Sequence, residues 1–147
     1  MNRYILSIDQ GTTGTRAFLF DGSGKAVASA YQEFKQYFPK PGWVEHDAEE
    51  IWRSCVTVMR QAIRDAKIAP RRILAIGITN QRETTVIWDR KTSKPVSRAI
   101  VWQCRRTASV CKDPRYKKYE ALIRKKTGLV LDPYFSGTKI KWLLDHI

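Results

Sequence analysis

Acidic residues are scarce in this 147-residue, 17.0 kDa chain: 14 Asp and Glu stand against 27 Lys and Arg, a formal charge of +13. That excess attracts anions such as phosphates, nucleic acid or an acidic membrane face, and says nothing about fold. Cysteine is also sparse. Cys55, Cys104 and Cys111 form no CxxC pair and cannot all pair with one another, which excludes a disulfide framework and points to a reduced, cytoplasmic protein. No apolar run is long enough to span a bilayer, and the first, Tyr4 to Ile8, is broken by Asp9, too short for a signal peptide. Neither His46 nor His146 has acidic or histidine neighbours at ligand spacing, which argues against a metal site of nitrogen and sulfur ligands. There is no internal repeat and no low-complexity stretch. What is present is ordinary for a globular domain: 43% hydrophobic and 28% charged residues. A domain this long buries roughly two thirds of its unfolded surface.

Punctuation along the chain divides it into elements. Residues 4–8 read as a buried strand, 17–21 as a second and 26–34 as a third, with small-residue turns between them, so an antiparallel meander leads the fold. Pro39, Pro41 and Gly42 mark a loop. Asp47, with Glu50 three residues on, forms a capping box opening a helix that ends before Pro70. Its apolar stripe is Trp52, Val56, Met59 and Ile63. The unalternating run 73–78 predicts a strand covered on both faces. Residues 84–89 and 96–102 form a hairpin pair. A helix runs from Asp113 and Pro114 to Gly128, and a last one begins near Ser136, burying Ile140, Leu143, Leu144 and Ile147. That stripe is still in phase at Ile147, which reads as a cut through a longer protein. The fold class is α/β, a mixed sheet with a β-β-β-α-β start.

The first chemistry is the loop from Asp9 to Arg16, Asp-Gln-Gly-Thr-Thr-Gly-Thr-Arg. Glycines let backbone N–H groups line a concavity, threonine hydroxyls add donors, and Arg16 adds a cationic fork. Asp9 at a strand end suits a Mg²⁺ held directly or through water. The loop opens a strand rather than a helix, which excludes both a Walker A loop and a dinucleotide-binding fingerprint. It is a phosphate-binding hairpin or a plain Gly-Thr turn.

Loop and element order resemble the sugar-kinase, hexokinase and actin group of ATP-binding folds. Further segments narrow this: Pro41-Gly42-Trp43-Val44-Glu45-His46-Asp47, Asn80-Gln81-Arg82-Glu83-Thr84-Thr85, Ala99-Ile100-Val101-Trp102-Gln103 with Arg105-Arg106-Thr107, and Asp132-Pro133-Tyr134-Phe135-Ser136-Gly137-Thr138-Lys139. In this order and along the whole chain they resemble the glycerol kinases of the FGGY carbohydrate kinase family. The resemblance implies that residues 1–147 are the N-terminal actin-like (ribonuclease-H-like) ATPase domain, incomplete without a C-terminal part. It implies MgATP-dependent phosphorylation of glycerol to glycerol 3-phosphate, with Arg82, Glu83, Trp102 and Tyr134 contacting glycerol. Thr12, Thr13 and Arg16 would hold ATP phosphates and Asp9 the Mg²⁺, while the catalytic base lies beyond residue 147. It also implies a homo-oligomer at full length, with no nucleic-acid or membrane partner. Gly14-Thr15 departs from the two serines expected there and removes one hydroxyl.

Taken residue by residue, each has a plainer alternative. Trp102 at the end of an apolar strand fits a core residue. Arg82 and Glu83, if adjacent in a strand, would point to opposite faces or be solvated, although they sit just past a strand's C-terminal end, where α/β folds bind ligands. Tyr134 could anchor the last helix. The competing function is a ribonuclease-H-like nuclease or nucleic-acid-binding domain, favoured by the basic, tyrosine-bearing stretch 115–126. Against it stands the lack of several carboxylates to gather two metal ions.

Overall fold

The computed structural model describes residues 3–147, which fall into two compact units. Unit 1 comprises residues up to Lys35 and Asp47–Gln81; unit 2 comprises Gln36–His46 and Arg82–Ile147.

Unit 1 is a four-stranded sheet with one helix on it, its strands running in space from residues 26–33 through 14–20 and 4–10 to 73–80. Strands β1 (Tyr4–Gln10), β2 (Gly14–Phe20) and β3 (Ala26–Glu33) form the expected meander, and β5 (Ile73–Asn80) joins β1 in parallel, so the sheet is mixed. Period-two alternation decides the faces. Leu6, Ala17 and Leu19 point to one side and meet Val58 and Ala62 of α1 (Ala48–Asp65) in a buried core. Asp47 caps α1 as expected, its carboxylate accepting from the N–H groups of Glu49 and Glu50. The reciprocal half of the capping box does not form: Glu50 Oε1 instead accepts from the Lys35 N–H at 3.2 Å.

Two expectations for unit 1 are corrected. The helix buries Ser54, Val58 and Ala62 rather than the stripe from Trp52, which is 63% exposed. Strand β5 is not covered on both faces, since Leu74, Ile76 and Ile78 are 59%, 54% and 71% exposed. Both corrections have one cause. Helix α1 lies over β2 and β3, so Val56, Met59 and Ile63 meet Leu6, Leu74 and Ile76 across an open apolar groove of about 720 Å³.

Unit 2 has little regular structure. A two-stranded ribbon pairs β4 (Glu45–His46) with β6 (Ala99–Ile100). The expected hairpin at 84–102 exists as a distorted ribbon: Thr85 and Ile100 exchange backbone hydrogen bonds at 2.9 Å, and Trp88 bridges Pro95. Helix α2 (Ala108–Lys112) was unforeseen. The helix expected from Asp113 is two, α3 (Pro114–Lys117) and α4 (Glu120–Thr127), because at Tyr119 the N–H turns to the Tyr116 carbonyl, a tighter i→i−3 bond. Asp113 caps α3, and Gly128 ends α4 in the left-handed region at φ +74°, where a Cβ would be strained. Of the four apolar residues expected to bury on α5 (Ser136–His146) and just past it, only Leu143 does; Ile140, Leu144 and Ile147 are exposed.

Candidate functional site

The candidate residues form two sets, one in each unit. In unit 1, Gly11 to Gly14 make the tight turn between β1 and β2, closed by the Gly11 N–H donating to the Gly14 carbonyl at 2.9 Å. Two glutamines brace it from below. Buried Gln10 donates from Nε2 to the Gly11 carbonyl at 2.8 Å, and buried Gln81 donates to Gln10 Oε1 at 3.1 Å and to the same carbonyl at 3.3 Å. Neither glutamine was singled out from the sequence, where each was one letter of a motif. Only the parallel pairing of β1 with β5, register Gln10↔Asn80, brings them together.

The turn leaves Thr13 exposed, while Thr12 is half-buried and engaged. Thr15 belongs elsewhere: it is fully buried and shares a 2.7 Å hydrogen bond with the Ser54 hydroxyl of α1. Gly14 is demanded by packing. A Cβ there would meet the Tyr31 hydroxyl at 2.5 Å and the Gln32 carbonyl at 2.7 Å, so a serine would displace β3. Gly14-Thr15 is therefore internally consistent. Asp9 and Arg16 are exposed cross-strand partners on the face opposite Thr15, with no ion pair between them among the described residues. The Arg16 guanidinium lies 5.0 Å from the Tyr31 ring centre.

Magnesium fits this donor set. It retains several waters and needs only one or two carboxylates beside substrate phosphates, rather than a protein cage. Among the described residues no group of three or more His, Cys, Asp or Glu could cage an ion, and Asp9 is a solitary carboxylate beside a hydroxyl-bearing turn.

In unit 2 Glu83, Trp102 and Tyr134 lie around the start of α5, and exposed Arg82 precedes Glu83 in the chain. Arg82 and Glu83 form a turn rather than a strand, so the opposite-face argument does not apply, and Glu83 sits in the left-handed region at φ +66°. Its carboxylate Oε2 accepts from the Ser136 N–H at 2.8 Å and the Ser136 hydroxyl at 2.7 Å, capping α5. Those bonds, the hydroxyl's first, hold the Glu83 carboxyl below its ordinary range, with Lys139 and Arg82 adding positive charge nearby. Tyr134 stands just before α5, and its ring meets that of half-buried Trp102 edge-on at 5.7 Å. The backbone N–H of Trp102 donates to the Thr84 hydroxyl at 3.3 Å. The arrangement offers one guanidinium, one carboxylate and two aromatic faces, the chemistry that a small polyol requires.

Sequence reasoning missed Lys139. It is fully buried, and its Nζ donates to the carbonyls of Glu83, at 3.1 Å, and of Tyr134. Burial lowers its pKa from the ordinary lysine value, partly offset by the Glu83 charge. Periodicity gave no signal, because a lysine on a helix normally faces water.

The other motif segments are structural. Arg106 is buried between Trp43 and Trp142, its guanidinium 3.9 and 4.7 Å from their ring centres, and donates to Glu45 Oε1 at 2.6 Å. Buried His46 donates from Nε2 to Gln36 Oε1 at 2.6 Å. The Thr107 and Thr138 hydroxyls meet at 2.9 Å.

Known proteins share the sequence pattern and the fold of this chain. The sequence profile of the N-terminal domain of the FGGY family of carbohydrate kinases matches residues 4–147. A protein named glycerol kinase from Leptospira biflexa is 60% identical over 144 residues, 98% of this chain and 29% of that protein. The crystal structure of Plasmodium falciparum glycerol kinase with ADP superposes with a TM-score of 0.88 at 40% identity, covering 98% of this chain and 29% of that one. Gluconate kinase from Lactobacillus acidophilus superposes equally well, TM-score 0.89, at only 26% identity over 99% of this chain and 29% of that one. The shared fold thus occurs in kinases named for different substrates, and the chain spans about 29% of the length of these relatives.

Proposed function

We propose a glycerol phosphotransferase from one premise: the chain belongs to the FGGY family of carbohydrate kinases. Residues 1–147 are its N-terminal actin-like domain within a longer enzyme that uses MgATP to convert glycerol to glycerol 3-phosphate. The observation that carries the choice of glycerol is the 60% identity, along 98% of the chain, to a protein named glycerol kinase, where the sugar kinase of equal structural similarity has 26%. The cluster of Arg82, Glu83, Trp102 and Tyr134 supports it chemically. ATP as donor is supported by the Plasmodium relative, solved with ADP.

The residues divide the work. Arg82 donates its fork to two neighbouring glycerol oxygens, Glu83 accepts from a hydroxyl, Trp102 covers the carbon face, and the Tyr134 phenol completes the polyol contacts. Thr12, Thr13 and Arg16 hold phosphate oxygens, and Asp9 steers Mg²⁺. When bound, Mg²⁺ neutralises phosphate charge. Such catalysis is positioning and charge stabilisation, and we read the general base as lying past residue 147. We read the enzyme as cytoplasmic, a reading that three free cysteines suit. At full length we read it as a homo-oligomer, testable on a sizing column. A nuclease would need converging carboxylates, and no such group of three is present among the described residues.

Arg82→Ala in the full-length enzyme is the test. A lost charged hydrogen bond to a buried hydroxyl costs about 1.5–3 kcal/mol, so glycerol kcat/KM falls roughly ten- to a hundredfold while the KM for ATP holds. Unchanged glycerol kinetics removes Arg82 from the site. Asp9→Asn is expected to cut turnover at saturating MgATP and spare glycerol binding.

A further inference from the structure

We propose that Lys139 is a positioning residue for polyol capture, its buried ammonium tying the backbone of Glu83 to that of Tyr134. The inference rests on the polyol reading above and adds a residue that itself touches no substrate.

The case begins with cost. Lys139 has no accessible surface, and no carboxylate pairs with it within 4 Å among the described residues. A buried cation without an ion-pair partner is expensive, and an apolar side chain of similar length would pack there at lower cost. The compensation is visible in what Nζ reaches. An ammonium carries three donors and no acceptor. Two of those donors go to the main-chain carbonyls of Glu83 and Tyr134, two of the four residues assigned to glycerol.

The second observation is backbone strain at one of them. Glu83 has φ +66°, a region that residues with a Cβ avoid. Such a conformation persists only where its surroundings over-determine it, and it collects at ligand clamps. The shorter restraints on Glu83 come from the first turn of α5: Lys139 grips its carbonyl, to which the Thr85 hydroxyl adds a longer bond at 3.4 Å, and Ser136 grips Oε2 through its N–H and its hydroxyl. The same lysine grips Tyr134, whose ring rests on Trp102. One cation therefore sets the position of a carboxylate, and through Tyr134 that of an aromatic pair. A lysine that served packing alone would have no reason to choose these carbonyls.

The test uses the full-length enzyme and Lys139→Met, which keeps length and removes every donor. Leu143→Ala is the control, a buried residue one turn along α5 that packs on Ile100 and Cys104. Glycerol binding without ATP is followed by calorimetry, with Tm and the KM for ATP measured alongside. The expected result is a glycerol Kd and KM raised about tenfold or more in Lys139→Met, with the KM for ATP within about twofold of the parent. Leu143→Ala should lower Tm comparably and leave the glycerol Kd alone. Equal glycerol binding by Lys139→Met and parent overturns the proposal, as does a parallel loss of glycerol, ATP and Tm matching the control. Should Lys139→Met not melt cooperatively, Lys139→Arg replaces it, keeping charge and donors at a different reach. A glycerol Kd raised about threefold or more in Lys139→Arg, with ATP unaffected, supports the role, and an unchanged one overturns it. A parent without saturable glycerol binding overturns the polyol reading itself, whereas a parent that binds beside an equally competent variant overturns Lys139 alone.

Discussion

Both units bury backbone, but they satisfy it by different means. Unit 1 uses strand ladders and one long helix, so its core consists of small and aliphatic side chains such as Leu6, Ala17, Leu19, Val58 and Ala62. Unit 2 has two-residue strands and short helices, and side chains supply what regular structure does not: Arg106 on Glu45, Lys139 on two carbonyls, Thr107 on Thr138, His46 on Gln36. The contrast teaches where mutational sensitivity lies. Unit 1 should respond to lost volume, and unit 2 to a lost hydrogen-bonding partner.

The sharpest way to break this contrast is Glu45→Leu. It leaves the Arg106 guanidinium, 2% exposed, without its carboxylate. Losing one partner of a buried pair costs about 3–5 kcal/mol, read as a lower urea midpoint for the unit 2 amides in hydrogen exchange. A cost below about 1 kcal/mol would mean that the Trp43 and Trp142 faces suffice. The matching change in unit 1, Leu19→Ala at a fully buried position, should cost about 3 kcal/mol and act on the β1 and β2 amides.

A smaller effect concerns the cap on α5. Ser136→Ala deletes one of the two bonds to the Glu83 carboxylate, at a cost of about 1 kcal/mol. The same bonds depress the Glu83 carboxyl, so their contribution is fully present above the ordinary glutamate range and is lost as pH falls through the depressed folded value. The parent's acid limb should flatten in Ser136→Ala when melting is followed from pH 6 down to about pH 3. Smallest of all is Ile78→Thr on bare β5. At 71% exposure it should shift stability by less than about 0.5 kcal/mol, yet lower the concentration-dependent association of the isolated chain on a sizing column.

How far the sequence could be read follows the same division. The meander, the Asp47 cap and the Gly128 stop were legible because period-two alternation, caps and left-handed glycines are local signals. The exposure of Leu74, Ile76 and Ile78 was not, since an apolar run declares that it wants cover without saying whether α1 reaches it. The proposed polyol residues came through resemblance to a family and not through periodicity, and nothing in the pattern signalled that Glu83, just past the end of β5, takes a left-handed turn. Gln10, Gln81 and Lys139 escaped altogether. Their roles depend on partners set far along the chain or on a carbonyl's direction, and no pattern of hydrophobicity encodes either.

The three cysteines make the chain its own reporter of local opening. Cys55 lies in unit 1, half-buried, and Cys104 and Cys111 lie buried in unit 2. Burial pushes the Cys55 and Cys111 thiols up, so near neutrality each holds little of the thiolate that attacks alkylating reagents. A maleimide or disulfide reagent therefore meets buried Cys104 and Cys111 mainly when the surrounding segment opens, and the rate of modification there becomes a clock for that segment. Two cysteines time the polar-stapled region, and half-buried Cys55 on α1 serves as the accessible reference, with no substitution introduced.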